Sequence, residues 1–276
     1  MIFADLELSR RLERAESHAG KEFAESRARL QPASGAASMK HAGTVCIFDG
    51  PESPVTQTFG LGLFEDLTPD SLDTIERFFL ERNAPVLHEV SPFAGVATID
   101  LLCSRNYRPI ELSTVMFMRT DPIIPGHSQA TSDEINIRVA DPEDATQWAD
   151  LSAKGWASDC PEMEASIRDF GSLAFARNST VNFLAEIDGI AGATGSLCLH
   201  EEVALFGGAS TIPSMRRRGL QSALLSTRMN YAYENGYTLA MMVTAVGSQS
   251  QRNAERTGFR IAYTRTKWQL SLPSPH

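Results

Sequence analysis

Short apolar runs alternate with amphipathic stretches through the second half of the chain. Residues 135–140 alternate apolar and polar positions as a half-buried strand does. The acidic, proline-containing segment that follows is typical of a helix start, and the helical pattern continues to about Ala157. A second helical pattern covers 161–177. Two strand-like runs, 181–187 and 191–199, then flank an Asp-Gly turn and predict a β-hairpin.

The next segments predict part of a parallel sheet. A strand at 203–212 ends at Pro213, which has no amide hydrogen for a sheet ladder. A helix then begins at Gly219 and ends at Asn235, and residues 238–246 are apolar on both faces, as in a central parallel strand. The chain closes with a predicted short helix and a last strand, at 248–257 and 259–270.

The first half repeats this ending at a distance of 152 residues. The helical pattern of 69–82 falls on 221–234, and that of 92–105 falls on 244–257. Two copies of one fold are the simplest account of such a repeat.

The sequence therefore predicts an α/β fold of mixed α+β character in two similar domains. We expect each domain to be a twisted mixed sheet flanked by helices, with the C-terminal copy complete. The segment 121–133 is rich in turn formers and poor in periodic apolar residues, as linkers are. The expected division is an N-terminal domain at 1–125, a linker at 126–134 and a second domain at 135–276.

Composition and charge narrow the classes of partner. The chain has 276 residues, of which 42% are apolar, enough for two ordinary cores. Its net charge of -9, negative in both halves, argues against general binding of nucleic acid or anionic membranes. The charged N-terminus lacks the apolar core of a signal peptide, so we expect a cytoplasmic protein.

Cysteines and histidines give no metal or redox pattern. The four cysteines are far apart in sequence, so we expect reduced, buried thiols at Cys46, Cys103, Cys160 and Cys198. The six histidines include no pair at metal-ligand spacing, so no metal site is expected. His88 lies within an apolar run and is interpreted as a core residue.

The segment from Thr211 to Leu225 carries the strongest chemical signal. It runs from a strand through the basic loop Arg216-Arg217-Arg218-Gly219 into an amphipathic helix. The first amides of a helix have no partner within it, and the helix dipole adds positive charge there, so such a loop suits a phosphate or diphosphate. Glycine also lets a ligand approach the backbone closely. The alternative is a solvated basic loop before a surface helix.

The loop resembles the phosphate loop of the GNAT superfamily of acetyl-CoA-dependent acyltransferases, Gln/Arg-x-x-Gly-x-Gly/Ala between a strand and a helix. Arg216, Gly219 and the trailing Ala-Leu-Leu at 223–225 fit that pattern, whereas Gln221 departs from it. The ending at 250–265 is similar to tandem bacterial members. The first half is similar to a degenerate copy of the same fold.

The resemblance implies acetyl-CoA or a related coenzyme A thioester as cosubstrate. Thr211 and Ile212 would offer backbone groups to the pantetheine arm. The parallel strand at 238–246 would splay away from them and leave a V-shaped gap. The complete expected cofactor set is Thr211, Ile212, Arg216, Arg217, Arg218, Gly219, Leu220, Gln221, Ser222 and Asn253. For Asn253 a plain helix-surface role is an equal alternative.

The mechanism implied by the resemblance is direct attack of a neutral amine on the thioester, with the oxyanion held by a strand N–H. Many members protonate the leaving thiolate with a tyrosine four residues before a Gly-Phe pair, but Ala254 occupies that position here. Ser248, Ser250 and Tyr263 lie nearby in sequence and are interpreted as structural. The general acid and the general base therefore stay unassigned.

The first hypothesis is an N-acyltransferase acting on an amine of a small molecule or peptide. The alternative is a non-catalytic acyl-CoA-binding or sensor protein. At the 152-residue shift the basic loop falls on the acidic segment 64–67, so the N-terminal copy is not expected to bind acetyl-CoA. That copy is a candidate platform for closing over the acceptor or for a homodimer. Trp156 and the acids Glu162 and Glu164 are candidates for lining the acceptor pocket.

Overall fold

A computed structural model describes residues 2–120, 135–157 and 161–271. The chain forms two compact units: Met1–Met118 with Val243–His276 (unit 1), and Arg119–Met242 (unit 2). The segment expected to link two domains, 126–134, lies outside the described residues. Within the described residues, no helix is both long and apolar enough to cross a membrane.

Unit 1 combines a mixed sheet with four helices. Its helices are α1 Leu6–Leu30, α2 Pro69–Leu80, α3 Gly95–Ser104 and α7 Gln249–Arg256. Its strands are β1 Ala37–His41, β2 Thr44–Phe48, β3 Gln57–Phe59, β4 Leu87–Val90, β5 Tyr107–Arg119 and β11 Arg260–Leu270. They lie in the order β1-β2-β3-β4-β11-β5, with β3 and β4 parallel and the other neighbours antiparallel.

Alternation along β2 explains why helices cover both faces of this sheet. Cys46 and Phe48 join a buried cluster with residues of α2, whereas Ile47 packs with Ala24 of α1 and Phe59. Successive side chains of a strand point to opposite faces, so β2 supplies both cores. His88, on β4, is fully buried and hydrogen-bonds Thr58 at 2.8 Å, which confirms that it is a core residue.

The last strand of the chain belongs to unit 1. β11 pairs antiparallel with β4 through Thr266–Gln269 and with β5 along most of its length. The α7-β11 segment predicted to complete the C-terminal domain is therefore grouped with the N-terminal residues. Sequence periodicity specifies a strand but not its partner, so this placement could not be read from the pattern.

A buried ion cluster fastens β11 to α1. Arg265 is 1% exposed, and its guanidinium donates to Glu13 at 3.1 Å and to Glu16 at 2.7 Å, with Glu89 2.9 Å from Nε. Tyr263 also donates to Glu13. Burial raises the pKa of Glu13 to about 7, outweighing the attraction of Arg265. Burial alone would lower the pKa of Arg265, but the surrounding carboxylates hold it well above its ordinary value.

Unit 2 carries the segment with the basic loop. Its helices are α4 Ala145–Ala157, α5 Glu164–Ser172 and α6 Leu220–Glu234, and its strands are β6 Ile135–Val139, β7 Thr180–Ile187, β8 Ile190–His200, β9 Val203–Thr211 and β10 Leu239–Ala245, whose last residues belong to unit 1. The order is β10-β9-β8-β7-β6, antiparallel except between β9 and β10. Trp148 and Leu151 of α4 pack on one face with Leu184, and Tyr231 of α6 meets Phe183.

The predicted elements of this half match closely, with one exception. The single helix expected at 161–177 is a 3-10 turn, α5 and a second 3-10 turn. The repeat distance also appears in the elements, since β4 begins at Leu87 and β10 begins 152 residues later at Leu239. The order helix, strand, helix, strand occurs in α2-β4-α3-β5 and in α6-β10-α7-β11.

The expectation of buried thiols holds for two cysteines and fails for one. Cys46 and Cys198 are buried, whereas Cys103 is exposed near the end of α3. Only Thr98 and Leu102 are buried on that helix, and Cys103 lies on its outer side. Cys160 lies outside the described residues.

Unit 1 is expected to lose stability through Glu13 as the pH rises. Between the ordinary value of 4.5 and the folded-state pKa of about 7, the folded state keeps a proton that the unfolded state has lost. The free energy of unfolding therefore falls with rising pH in this window, by at most ~1.4 kcal/mol per pH unit. Urea titrations should show this component in wild type and in the surface control Glu25→Gln but not in Glu13→Gln. Parallel pH profiles for wild type and Glu13→Gln would contradict the assignment.

A fragment of residues 1–125 is expected not to fold alone, because β4 and β5 would lose the strand between them. Circular dichroism and amide NMR dispersion would report this. Adding a peptide of residues 259–271 should restore structure, whereas the same peptide with Arg265→Glu should not. Cooperative unfolding of the fragment by itself would show that β11 is dispensable.

Candidate functional site

The basic loop leads from the end of β9 into α6 through a turn with unusual backbone angles. Pro213–Met215 form a 3-10 turn directly after the strand. Arg217 has a φ of 63° and Gly219 a φ of 88°, both in the left-handed region. A non-glycine residue in this region is uncommon and is found where surrounding structure fixes it. The two angles reverse the chain so that α6 begins at Leu220.

The entrance to α6 has no capping side chain. Gly219 is the N-cap residue, and its carbonyl accepts from Ala223 at 3.0 Å. Within the described parts of the chain, no acceptor takes the amide hydrogens of Arg217, Arg218, Gly219 or residues 220–222. These amides converge on the end of a four-turn helix whose dipole favours an anion. The start of α6 therefore presents unpaired amides at a helix N-terminus, where an anion is favoured.

The three arginines of the loop have different surroundings. Arg216 donates to the carbonyl of Gly155 at 2.9 Å and to that of Thr211 at 3.3 Å, which ties the loop to the end of α4 and to β9. Arg217 and Arg218 are exposed and have no carboxylate partner among the described residues. Their charges are therefore available to a ligand, whereas Arg216 supports the loop.

Gln221 joins the start of α6 to the end of β9. Its side-chain amide donates to the carbonyl of Ser210 at 3.0 Å and to the hydroxyl of Thr211 at 2.7 Å. Leu220 is buried and anchors the helix, and Ser222 is exposed. The residue that departs from the family pattern thus has a structural contact of its own.

Strand β9 presents a free backbone edge beside the loop. Ile212 donates its amide to Gly192 on β8, so by alternation the amide of Thr211 points to the opposite side of β9. On that side β10 pairs with β9 only from Leu239 to Met241, while β9 continues to Thr211. The family resemblance implies that these two strands diverge, and the pairing of β10 with β9 is accordingly short.

A β-bulge interrupts β9 just before this edge. The β8–β9 register shifts between Thr194 and Ser196, and Gly208 has a φ of 60°. Arg228 of α6 reaches the bulge and is 2% exposed. The sequence analysis missed Arg228, although an arginine four residues after Leu224 in the apolar stripe of α6 was a usable signal.

The corresponding helix of unit 1 begins quite differently. Pro69, the first residue of α2, has no amide hydrogen, and the Thr68 side chain accepts from Ser71 at 3.2 Å. The first turn of α2 is therefore capped from within, and Asp70 adds a negative charge there.

The remaining candidate residues from the sequence analysis are distant from the basic loop in sequence. Asn253 is on α7 in unit 1, where its side-chain oxygen accepts from Gln249 and Arg256. Ser248 caps α7, and the Tyr263 hydroxyl is buried against Glu13, so both side chains have structural contacts. Trp156, in unit 2, is 50% exposed at the end of α4.

Comparison with known proteins identifies the fold. No protein-family model matches the sequence, and no curated protein is significantly similar to it. A GCN5-related N-acetyltransferase from Kribbella flavida aligns over 90% of this chain and 95% of its own, with 17% identity and a TM-score of 0.64. One from Sphaerobacter thermophilus covers 87% of this chain and 78% of its own, at 13% identity and a TM-score of 0.54.

A tandem GNAT protein from the clavulanic acid biosynthesis pathway matches similarly. It covers 84% of this chain and 79% of its own, at 13% identity and a TM-score of 0.59. The chain therefore has the GNAT fold, as the sequence resemblance predicts.

Replacing Arg216 is expected to weaken the fold of unit 2, whereas replacing Arg218 is not. Arg216→Met removes the bonds to Gly155 and Thr211 and should lower the free energy of unfolding by about 1 kcal/mol. Arg218→Met should change it by less than ~0.5 kcal/mol. Urea denaturation of both variants checks this. Equal stabilities would show that Arg216 does not hold the loop.

Proposed function

We propose that the chain is an acyl-CoA-dependent N-acyltransferase that uses acetyl-CoA or a related short acyl-CoA and an amine of a small molecule or peptide. The observation that carries this proposal is the uncapped entrance to α6, where Gly219 and residues 220–222 offer unpaired amides to an anion. The GNAT fold of the chain supports it.

The loop fits the diphosphate of coenzyme A. Free backbone amides can donate to phosphate oxygens, so no charged side chain has to be buried for binding. Gly219, in the left-handed region, has no side chain and lets the diphosphate approach the backbone closely. Arg217 and Arg218 add exposed positive charge to an otherwise acidic protein. The outward amide of Thr211 continues this binding surface along β9 for the extended pantetheine arm, as strand edges bind extended chains.

The bound acyl-CoA would supply the thioester carbonyl and a thiolate leaving group. A neutral amine forms the new C–N bond as the C–S bond breaks, the amine nitrogen loses a proton and the sulfur gains one. Backbone amides of β9 that point away from β8 would hold the negative charge developing on the carbonyl oxygen. Because Ala254 carries no ionisable group, the thiolate would take its proton from water or from the amine.

A single cofactor site per chain is part of the proposal. We regard the first repeat, which lies in unit 1, as a degenerate copy of the fold. Its helix α2 starts with a proline and a side-chain cap, so an anion finds few free amides there. The acidic segment 64–67 replaces the basic loop in that copy.

A non-catalytic acyl-CoA sensor is the second candidate. Ala254 at the position of the usual acid and the degenerate first copy favour it. Release of CoA from acetyl-CoA in a broad amine screen separates the two functions. Turnover with any amine excludes a sensor as the sole function, whereas tight binding without turnover supports it.

Calorimetric titration with coenzyme A is expected to show one site per chain. Arg217→Ala should weaken CoA binding about tenfold by removing a charge near the diphosphate. Gly219→Val should abolish it, because φ of 88° strains a branched residue and its side chain shields the amides. Arg168→Ala, on the surface of α5 in the same unit, is the matched control and should bind as wild type does.

Absence of binding by folded wild-type protein would overturn the proposed function. Unchanged affinity in both loop variants would show that CoA binds elsewhere. Two sites per chain would contradict the degenerate role given to the first copy.

A further inference from the structure

The bulge in β9 has two peptide groups whose carbonyls are each held by a side chain. The carbonyl of Gly207 accepts from Arg228 at 3.1 Å. The carbonyl of Gly208, one residue on, accepts from the hydroxyl of Thr194 on β8 at 3.1 Å. A glycine at a φ of 60° is the feature of a bulge that turns the strand locally.

These contacts fix the direction of the next two amides. A trans peptide is planar, with its C=O and N–H on opposite sides. The carbonyl held by Arg228 therefore directs the amide of Gly208 away from α6, and the carbonyl held by Thr194 directs the amide of Ala209 away from β8. The amide of Ala209 consequently points to the same side of β9 as that of Thr211.

Arg228 is an unusual residue for this position. Besides Gly207, its guanidinium donates to the carbonyls of Ser196 at 3.1 Å and Leu224 at 3.2 Å. Its charge lies 5.1 Å from the ring of Phe206, and no carboxylate among the described residues pairs with it. Burial lowers the pKa of Arg228 to about 10, so the guanidinium is still charged near neutral pH.

The surroundings are shaped around this side chain. A Cβ at Gly195, the β8 residue opposite the bulge, would lie 3.0 Å from the guanidinium carbon of Arg228. At position 228, in the buried stripe with Leu220 and Leu224, an aliphatic residue is what helix–sheet packing ordinarily uses, and it would bury no charge. Burying a charge that has carbonyl acceptors but no carboxylate partner is costly, so a position that keeps it calls for a role beyond packing.

We propose that Arg228 is a positioning residue for acyl transfer: it fixes the Gly207–Gly208 peptide of the bulge and, with Thr194 on the next peptide, sets the bulge so that one of its amides faces the thioester carbonyl. Its fixed positive charge behind the bulge also favours the negative charge that develops on that oxygen. The inference rests on the proposed function of the loop in the same unit and adds a residue that contacts neither cofactor nor amine.

The chain offers a direct probe of the bulge. Gly207–Gly208 is the only Gly-Gly pair in the sequence. Protein labelled with carbonyl-13C glycine and 15N glycine, made in a strain that does not interconvert glycine and serine, therefore gives one HNCO signal, from this peptide bond. The variants are Arg228→Lys, Arg228→Gln and Arg228→Met, with Arg168→Met as the control that removes a surface arginine of unit 2.

The ligand-free spectra test the contact itself. Arg228→Met should move the Gly207 carbonyl carbon upfield by removing a charged donor, Arg228→Lys should move it less, and the control should leave it in place. Release of CoA from acetyl-CoA, with the best amine of a screen or with water, tests the consequence. We expect kcat to fall at least ~10-fold in Arg228→Met and less in Arg228→Lys, with KM for acetyl-CoA and calorimetric CoA affinity within about threefold of wild type.

Two results would overturn the proposal: an unmoved carbonyl signal in Arg228→Met, or a moved signal with wild-type kcat. A kcat as low in Arg228→Lys as in Arg228→Gln would remove the role given to the charge. If Arg228→Met does not fold, Arg228→Lys and Arg228→Gln decide by the same measurements. If wild type does not bind CoA, the proposed function and the role of Arg228 in it are both wrong. If the Gly207 carbonyl signal nevertheless depends on Arg228, the contact between the two residues is still correct.

Discussion

An uncapped helix must satisfy its first amides with something outside itself, and this constraint governs the candidate site. Most helices meet it with a serine, threonine, asparagine or aspartate side chain. At α6 the capping position is Gly219, and Arg217 and Arg218 directly before it are exposed. At the start of α2, the first repeat meets part of the same constraint with the Thr68 side chain and a proline that has no amide hydrogen. The corresponding helices α2 and α6 thus begin differently, and the difference lies in a few residues.

The direction of backbone amides also matters along β9. A strand that is paired on both sides has no amide to offer, but β9 separates from β10 after Leu205, and its bulge redirects two more peptide groups. Side chains that hold the carbonyls of such a segment decide where its amides point. Here Thr194 holds the carbonyl of Gly208 and Arg228 holds that of Gly207. The helix entrance and the strand edge are adjacent in unit 2 because Gln221 ties one to the other.

Sequence patterning predicted the parts of the fold that rest on local periodicity. The β7–β8 hairpin, β9, α6 and β10 follow directly from apolar spacing and turn residues, and the basic residues around Gly219 mark the loop by their own chemistry. Helix α1 was not predicted, because its buried face mixes Leu8 and Leu12 with Ser9 and the ionisable Glu13. The partner of β11 was also hidden, since the ion pairs of Arg265 join residues about 250 positions apart. The position of Arg228 in the apolar stripe of α6 is visible in the sequence, but the carbonyls that it holds are not.

The amide signals of residues 219–222 test the central claim most directly. Titration of 15N-labelled protein with coenzyme A should shift these four amides downfield together, as they donate to diphosphate oxygens. Pantetheine, which lacks the diphosphate, should leave them in place while it moves signals of β9. Should coenzyme A bind without moving the four amides, the entrance to α6 is not its anchor and the proposed site is wrong.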